Sequence, residues 1–437
     1  MGQIILFIMI LSTGVVSVFT PIIGIAAYYL LAILGPQYIW WWDFEGLRAS
    51  LIVALCTLIG IGISYFKKNY DIAFLWNKQN FWISFLWCCI VCSYLFGPYV
   101  PYFNFSGVNP SALFYLSNKV YLFYFCSSLE LNQIRKIRYL VIVFVVSTIY
   151  LTYWANSQYF SQNWAQFDFG RLMGPRSIDG GAIYHDENAF AMLFVTGWPF
   201  IYYLGLEIKR KWLRLGLWSV IPLSWHAIFL TGSRGGLVGL IVVLITMLFL
   251  SKKKVLALPL LIFFVIFYQW QAGNVMSHRS EMIEGYQTDK SAEDRLMAWT
   301  AGWEMMKTYP LIGVGLGSFR TAIKDFGGSR SMVAHNTFVQ FAAESGLGAG
   351  LAYLFTIGIF FIHSMRIRHW CKLLPDDSET RKIELYIDAS TASFTGMIVC
   401  SLFLSLNTYE IFFVLLLFNN SIYQICLNKL SLKSEKK

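Results

Sequence analysis

Charged residues are scarce in this sequence. Only 13% of its 437 residues are charged, whereas 57% are hydrophobic and 18% are aromatic; a soluble domain carries roughly twice that charged fraction. Apolar runs of about 16 to 22 residues recur along the whole chain, which is the length of a membrane-spanning helix. The alternating ten-residue pattern typical of a transmembrane barrel is missing. The sequence therefore predicts an all-α polytopic membrane protein.

Two further features are missing. No cysteine lies in the long polar segment of residues 271–344, and most of the eight cysteines sit in apolar runs, so no disulfide framework is expected. The N-terminus has neither a basic region nor a small-residue cleavage site, and we interpret it as a retained anchor. The net charge of +10 does not indicate nucleic-acid binding, because Lys and Arg cluster in short loops, where they determine topology.

The connections between apolar runs are of two kinds, which alternate along the chain. The positive-inside rule places the basic kind in the cytoplasm: residues 67–68, 135–138, 209–214, 252–254, 366–382 and 436–437. The other kind then lies on the outer face: residues 35–46, 97–110, 156–187, 233–234, 271–344 and 407–408.

We expect a bundle of about 12 transmembrane helices. Residues 4–34 would cross once, as a helix bent at Pro21, because a helix of that length is about 46 Å long. Two crossings would instead give about 13 spans and an outer N-terminus. The predicted divisions are an N-terminal bundle (1–270) with an outer loop (156–187), a large periplasmic loop with amphipathic helices (271–344), and C-terminal helices with a basic tail (345–437).

Arg234 lies between two apolar runs, in the glycine-containing turn of residues 231–236. A guanidinium in such a turn presents permanently charged donors to an anion, and glycine lets backbone amides approach the same ligand. The alternative is an interfacial Arg that reaches lipid phosphate. The flanking glycines favour a ligand-binding role.

Arg295 marks a second candidate region. Trp303 and Tyr309 follow it at near-helical spacing, which predicts an amphipathic helix on or partly within the membrane surface. Arg295 could bind a ligand, or it could simply pair with Glu293 or Asp294. The same two acids are a weak candidate for a divalent cation site, because no further carboxylates stand at ligand spacing.

A glycine-rich run and a histidine follow. Residues 310–319 superficially resemble a nucleotide-binding loop, but they lack the preceding strand and the following helix with its Lys. We interpret them as a tight apolar turn that packs against the bundle. His335 and Asn336 stand at a predicted helix start, where an imidazole can accept a proton near neutral pH and the amides favour an anion. A lone His is otherwise usually structural.

Other polar residues of the outer face are weaker candidates for substrate contacts: Arg171, Arg176, His185, Asp186, Arg320 and Asn336. The outer-face candidates as a whole suggest neither a metal cluster nor a Ser-His-Asp arrangement, so we predict a site without metal or cofactor. Guanidinium donors beside a base suit a lipid-linked pyrophosphate, since its leaving group needs its developing charge stabilised while a hydroxyl is activated.

In this order the pieces resemble the O-antigen ligase and O-antigen polymerase superfamily of bacterial envelope glycosyltransferases. The resemblance rests on residues 230–236, on Arg295 with Trp299, and on residues 309–319, 335–337 and 346–348, which together span about 120 residues. Each piece alone is a weak signal, but their order makes them jointly specific. Residues 19–36 look like the subgroup of exosortase-A-associated O-glycosylation ligases.

This resemblance implies a helical bundle like that of GT-C-type glycosyltransferases in the bacterial inner membrane. It implies metal-independent transfer of a glycan from undecaprenyl pyrophosphate to an acceptor hydroxyl of lipid A core, protein or polysaccharide on the periplasmic face. Carried over by position, Arg234 and Arg295 would hold the pyrophosphate, and His335 would act as the base or orient it.

Two alternatives stay open. One is a polymerase that joins repeat units on the same carrier, and its motifs barely differ from those of a ligase. The other is a transporter of lipid-linked glycans without chemistry. The second is disfavoured because few charged residues interrupt the apolar runs.

Overall fold

The computed structural model describes residues 2–44, 47–67, 70–102, 109–175, 184, 186–251 and 287–434. Several features named above fall outside the described residues: Arg176, His185, the basic stretch 252–254, the apolar run 255–270, the first part of the large loop (271–286) and the tail 436–437.

The described residues are mostly helical, as the apolar runs predict. The helices are α1 (Gly2–Phe19), α2 (Pro21–Leu34), α3 (Pro36–Ile39), α4 (Trp41–Phe44), α5 (Ala49–Phe66), α6 (Lys78–Phe96), α7 (Pro110–Glu130), α8 (Ile134–Phe160), α9 (Glu187–Glu207), α10 (Lys211–Trp218), α11 (Val220–Thr231), α12 (Arg234–Leu250), α13 (Gln287–Thr308), α14 (Phe319–Ala322), α15 (Thr337–Ser345), α16 (Leu347–Cys371), α17 (Ser378–Ser401) and α18 (Glu410–Ser434). Short 3-10 helices occupy Ile72–Leu75, Val100–Tyr102, Trp164–Gln166 and Ile323–Phe326. Strands β1 (Phe167–Asp168) and β2 (Arg171–Leu172) form an antiparallel hairpin in which Asp168 faces Arg171.

Eight helical stretches of the described chain are long and apolar enough to cross a membrane: Pro21–Ile39, Ala49–Phe66, Lys78–Phe96, Ile134–Phe160, Glu187–Glu207, Lys211–Thr231, Leu347–Cys371 and Glu410–Ser431. Two shorter apolar stretches, Gln3–Phe19 within α1 and Arg234–Leu250 in α12, fall just below this length. A helix satisfies its own backbone hydrogen bonds, which is what a bilayer requires of a spanning segment. The prediction of an all-α, multi-pass membrane protein is thereby confirmed.

The single bent crossing expected for residues 4–34 is wrong. Helix α1 ends at Phe19, and Thr20 has non-helical dihedral angles (φ −135°, ψ 80°). Helix α2 then begins at Pro21, whose nitrogen carries no hydrogen and therefore cannot continue the hydrogen bonding of α1. The proline ends one helix and starts another, where we expected only a bend.

The two N-terminal helices fold back on each other. A Cβ atom added to Gly24 would lie 2.6 Å from Ser17 Oγ, whereas the same two residues would be about 10 Å apart along one continuous helix. The Gln3 side-chain amide donates to the carbonyl oxygen of Trp42 (2.8 Å), beyond the far end of α2. Helices α1 and α2 are therefore an antiparallel pair.

The basic connections that are described meet on one face of the bundle, which we call the basic face. Glu207, at the end of α9, pairs with Arg138 of α8 (2.8 Å) and with Lys382 of α17 (3.7 Å). Lys429 near the end of α18 pairs with Glu379 at the start of α17 (2.8 Å). The alternation of loop types along the sequence predicts this convergence.

The opposite face, here called the site face, carries a second hydrophobic cluster that is separate from the main core. Buried Ala298 and Met305 of α13 belong to it, together with Phe319. The helix predicted around Arg295 is therefore present, and its buried side packs against residues of its own loop. Trp303 remains exposed on another side of α13.

Candidate functional site

The predicted site residues that the structure describes gather around the loop between α17 and α18, residues 402–409, which we call the α17–α18 loop. Its backbone is tied to the start of α15. Thr337 Oγ1 donates to the carbonyl oxygen of Leu404 (2.7 Å) and accepts from the amide of Leu406 (3.1 Å). These bonds fix the loop beside the segment that carries His335.

Asn336 is the N-cap of α15. Its Oδ1 accepts from the Val339 amide (3.1 Å), and its Nδ2 donates to the carbonyl oxygen of Leu402 (3.4 Å). Asn is a preferred residue at this position because its side chain satisfies an amide that the helix leaves unpaired. The predicted helix start is confirmed, and the Asn336 side chain is engaged in positioning its neighbour His335.

His335 has a left-handed backbone conformation (φ 48°), which is uncommon for residues other than glycine. Its neighbour Ala334 is held on both sides: its amide donates to Gln340 Oε1 (2.9 Å), and its carbonyl oxygen accepts from Trp299 Nε1 (2.9 Å). Such backbone strain costs about 1–3 kcal/mol and concentrates at functional sites. Trp299, four residues after Arg295, therefore helps to orient His335.

Arg234 is the first residue of α12, and its turn packs against α9. Gly232 ends α11 with a φ of 61°, and Ser233 caps α12 by accepting from the amide of Gly236 (3.0 Å). Ser233 Oγ also donates to Asn188 Oδ1 at the start of α9 (2.7 Å). This bond aligns the exposed Arg234 side chain with the residues that open α9.

Arg295 of α13 contacts the α17–α18 loop. Its guanidinium carbon lies 5.8 Å from the centre of the Phe403 ring, a cation–π distance. The same ring faces Gly235, where an added Cβ would lie 3.0 Å from Phe403 Cδ2. Phe403 therefore stands between Arg295 and the turn of Arg234.

The electrostatics of Arg295 show which charges surround it. Burial lowers the pKa of its guanidinium, the carboxylates of Glu187 and Asp186 raise it, and the guanidinium groups of Arg234 and Arg171 lower it further. Like charges this close repel each other, so a bound anion stabilises them. We call Arg171, Arg234 and Arg295 the arginine cluster.

Two guanidinium groups of the site face keep a buried N–H donor that no described residue accepts. Arg171 pairs with Glu187 (2.7 Å), yet its Nε is buried and has no partner within the described ranges. The same holds for Arg320 Nε. An unsatisfied buried donor costs about 1–3 kcal/mol, so the described residues leave part of the donor capacity of these two guanidinium groups unused. Guanidinium groups with unused donors favour an anionic ligand.

A cavity of about 410 Å³ lies beside His335, and we call it the histidine cavity. This volume is within the range of small-molecule sites. Asp186 links it to the arginine cluster, since the carboxylate both lines the cavity and acts on Arg295. The polar residues on its walls include Asp186, Arg320, His335, Gln340, Glu344 and Tyr409.

Glu344 is a titratable residue of the histidine cavity that the sequence analysis did not select. Its side chain is 2% exposed, and its Oε1 accepts from the amide of Phe319 (3.1 Å). Burial raises its pKa to about 7, against the opposing effect of hydrogen bonds from Phe319, Gly317 and Gln340. A carboxyl that titrates near neutral pH is typical of functional sites.

The glycine-rich run is a tight turn against the end of α15, as the sequence predicts. Gly313, Gly315 and Gly317 have positive φ angles of 74°, 119° and 71°. The Gly315 amide donates to the carbonyl oxygen of Glu344 (3.0 Å), a group that the helix end leaves without a partner. The run thus fixes Glu344 through its backbone as well as its carboxylate.

The structure places the predicted residues in two adjoining groups on one face. His335 and Arg320 line the histidine cavity, while Arg171, Arg234 and Arg295 form the arginine cluster beside it. Both groups contact the α17–α18 loop or the carboxylates that open α9.

The alternative in which Arg295 pairs with Glu293 or Asp294 is not seen among the described residues, and Asp294 pairs with Arg330. Sequence reasoning missed Glu344 altogether. The one local signal for it was an acid isolated within an apolar stretch, at residues 338–354. Among the described residues, no group of three or more His, Cys, Asp or Glu side chains is placed to hold a metal ion.

Comparison with protein families matches residues 218–354 to the family described as O-antigen ligase. The matched segment runs from the last residue of α10 into α16 and contains Arg234, Arg295, Arg320, His335 and Glu344. Comparison with curated proteins finds no match.

Proposed function

We propose that this chain, whose residues 218–354 match the O-antigen ligase family, transfers a glycan from undecaprenyl pyrophosphate to an acceptor hydroxyl. It is a multi-pass membrane protein with a ligase-type, glycan-transferring domain. We propose the donor, the direction of transfer and the roles of individual residues as follows.

The observation that carries the proposal is the arginine cluster beside a strained histidine. The cluster holds three guanidinium groups against the carboxylates of Glu187 and Asp186, so positive charge is in excess. His335 lies within the adjoining cavity, held in a conformation that its neighbours impose. A diphosphate bound to the arginine cluster would accept hydrogen bonds from its guanidinium groups. The sugar attached to that diphosphate would then lie beside His335.

The reaction breaks one bond and forms another at the anomeric carbon of the donor sugar. The acceptor oxygen attacks this carbon while the bond between the carbon and the pyrophosphate oxygen breaks. The pyrophosphate leaves with the electrons of that bond. Negative charge therefore grows on the leaving group, where Arg234 and Arg295 donate to it. The acceptor proton passes to the imidazole of His335, which acts as the general base.

Glu344 and Arg320 support this geometry. Through the amide of Phe319, the Glu344 carboxylate holds the segment from which Arg320 extends into the histidine cavity. We assign Glu344 as a positioning residue and Arg320 as a donor to the pyrophosphate. Arg171 adds a guanidinium from β2. Arg176 and His185 remain predicted substrate contacts.

We further propose that the site face is periplasmic and that the protein resides in the bacterial inner membrane. Support comes from the basic connections on the opposite face, since basic loops are retained in the cytoplasm. We also propose that the chain crosses the membrane about 12 or 13 times, has a GT-C-type architecture and belongs to the exosortase-associated subgroup. We propose in addition that the chain divides into three parts at residues 270 and 344, and the separate hydrophobic cluster of the loop supports this division.

The test uses the purified full chain with undecaprenyl-pyrophosphate-linked glycan, candidate acceptors and a chelator. We expect transfer by the wild type, and its loss in Arg234→Ala, Arg295→Ala and His335→Ala variants that still insert into membranes. Activity in all three variants would reject the assignment. A ladder of lengthening lipid-linked chains would identify the polymerase alternative, because a ligase leaves donor length unchanged.

A further inference from the structure

We propose that a second cavity, adjoining the histidine cavity, binds a saccharide and presents its hydroxyl for glycosylation. The cavity has a volume of about 300 Å³, and we call it the lysine cavity. The inference rests on the proposed function and names its acceptor class. The polar residues of its walls include Gln37, Tyr38, Ser50, Lys119, Tyr184 and Glu410.

The two cavities are neighbours in the fold. Thr408 and Tyr409 of the α17–α18 loop line both of them. On α7, Leu113 lines the histidine cavity and Leu116, one helical turn further, lines the lysine cavity. A molecule seated in the lysine cavity would therefore contact residues that also line the cavity of His335.

The lysine cavity is electrically balanced, unlike the arginine cluster. Its charged lining residues in the described chain are Lys119 and Glu410, whose Nζ and Oε1 atoms lie 3.8 Å apart. Tyr28 supports the pair from behind, since its hydroxyl donates to Glu410 Oε1 (2.9 Å) and its ring lies 5.8 Å from Lys119 Nζ. A phosphate would gain little here, because the carboxylate cancels the ammonium charge.

An ion pair inside a helical bundle is costly and is most often kept for a function. Glu410 Oε2 is buried and accepts no hydrogen bond from any residue in the described ranges. The Lys119 and Glu410 side chains are 24% and 14% exposed and line the cavity, so the ammonium can donate to a bound hydroxyl and the carboxylate can accept from one.

The remaining walls suit a neutral molecule rich in hydroxyls. Tyr38, Tyr184 and Tyr409 provide ring surfaces, while Gln37 and Ser50 provide further donors and acceptors. A volume of about 300 Å³ is at the lower end for small-molecule sites. These properties favour a sugar over a lipid phosphate or a protein segment, and the sugar can belong to lipid A core or to a free glycan.

The test measures acceptor and donor dependence separately in the full-length protein. Ser50→Trp fills the lysine cavity, and the double variant Lys119→Met with Glu410→Gln removes its charges together. Tyr38→Ala is a milder change, included in case the other variants fail to fold. The matched control is Lys429→Met with Glu379→Gln, which removes a Lys–Glu pair from the basic face.

Three acceptors are compared with undecaprenyl-pyrophosphate-linked glycan as donor: rough lipopolysaccharide carrying lipid A core, a free oligosaccharide, and a Ser/Thr-containing peptide. We expect transfer to one of the saccharides. The KM for that acceptor should rise at least tenfold in the cavity variants and stay unchanged in the control. Binding of undecaprenyl pyrophosphate itself should be unchanged in all of them.

Two outcomes overturn the inference alone: transfer only to the peptide, or an unchanged acceptor KM in every folded cavity variant while the wild type remains active. The proposed function fails separately, together with the inference, if the wild type transfers to no acceptor and Arg295→Ala binds undecaprenyl pyrophosphate as tightly as the wild type does.

Discussion

The histidine cavity and the lysine cavity share the wall at Thr408 and Tyr409 but have different charged surroundings. The first adjoins the arginine cluster, in which guanidinium groups outnumber their carboxylates. The second holds one cation and one anion in contact among its described lining residues. An excess of fixed positive charge favours a pyrophosphate, whereas a balanced pair favours a neutral polar molecule.

This difference suggests how one loop can serve two substrates. The α17–α18 loop presents Phe403 to the arginine cluster and Tyr409 to both cavities. Its backbone is fixed to the start of α15 by Thr337, so the distance between the two sites is set by packed secondary structure. Reacting groups held in this way meet without a large loss of freedom at the moment of reaction.

The largest effect should come from removing a donor to the pyrophosphate. Arg295→Ala deletes a half-buried guanidinium of the arginine cluster, so we expect transfer to fall by about 10²–10³-fold. Binding of undecaprenyl pyrophosphate should weaken in parallel, as measured by titration with the free lipid. The control is Arg330→Ala, an exposed Arg of the same loop that pairs with Asp294. Equal losses in the two variants would break the distinction between the cavities.

The second effect isolates the base. His335→Asn removes the imidazole but keeps a residue that tolerates a positive φ, so folding should be preserved. We expect kcat to fall by about 10²–10⁴-fold, with little change in donor binding or in acceptor KM. His335→Ala should lose kcat similarly and be less stable. A His335→Asn enzyme with the wild-type kcat would remove the base from the account.

A third effect concerns pH and belongs to the histidine cavity alone. The pKa of Glu344 is raised from 4.5 to about 7 by burial, so the folded protein holds a proton that the unfolded chain releases between these values. The melting temperature should therefore fall as pH rises from about 4.5 to 7 and level off above it. Glu344→Gln should flatten this slope, while Glu304→Gln, an exposed control, should retain it. Parallel curves for all three proteins would contradict the assignment.

The smallest effect tests the turn that supports Glu344. A Cβ on Gly313 would collide with the carbonyl group of Glu344, whereas one on Gly327 would meet no atom within 4 Å. Both glycines have positive φ (74° and 87°), so Ala strains the backbone at either position. We expect Gly313→Ala to lower the melting temperature by several degrees more than Gly327→Ala. Equal shifts would show that crowding at Glu344 is unimportant.

The sequence predicted the helical class and the one-sided basic connections, and it selected several polar residues that the structure brings to one face, Arg234 among them. These features depend on local patterns: apolar runs of spanning length, clustered Lys and Arg, and a glycine-flanked Arg234. The sequence also predicted the turn at residues 313–317 and the helix start at Asn336, because glycine and helix caps determine the backbone conformation of their immediate neighbours.

What the sequence did not reveal depends on contacts between distant segments. The bond from Thr337 to Leu404, the placement of Phe403 against Arg295, and the burial that tunes Glu344 join residues that no local pattern connects. The pairing of α1 with α2 was missed for a different reason. Helix length alone could not decide whether Pro21 bends a helix or ends it.

The most direct measurement is a cryo-electron microscopy structure of the full chain in nanodiscs with undecaprenyl-pyrophosphate-linked glycan and its saccharide acceptor. We predict density for the pyrophosphate within reach of Arg234 and Arg295, and density for the acceptor sugar between Lys119 and Tyr409. A pyrophosphate bound in the lysine cavity, or one bound on the basic face, would contradict the account.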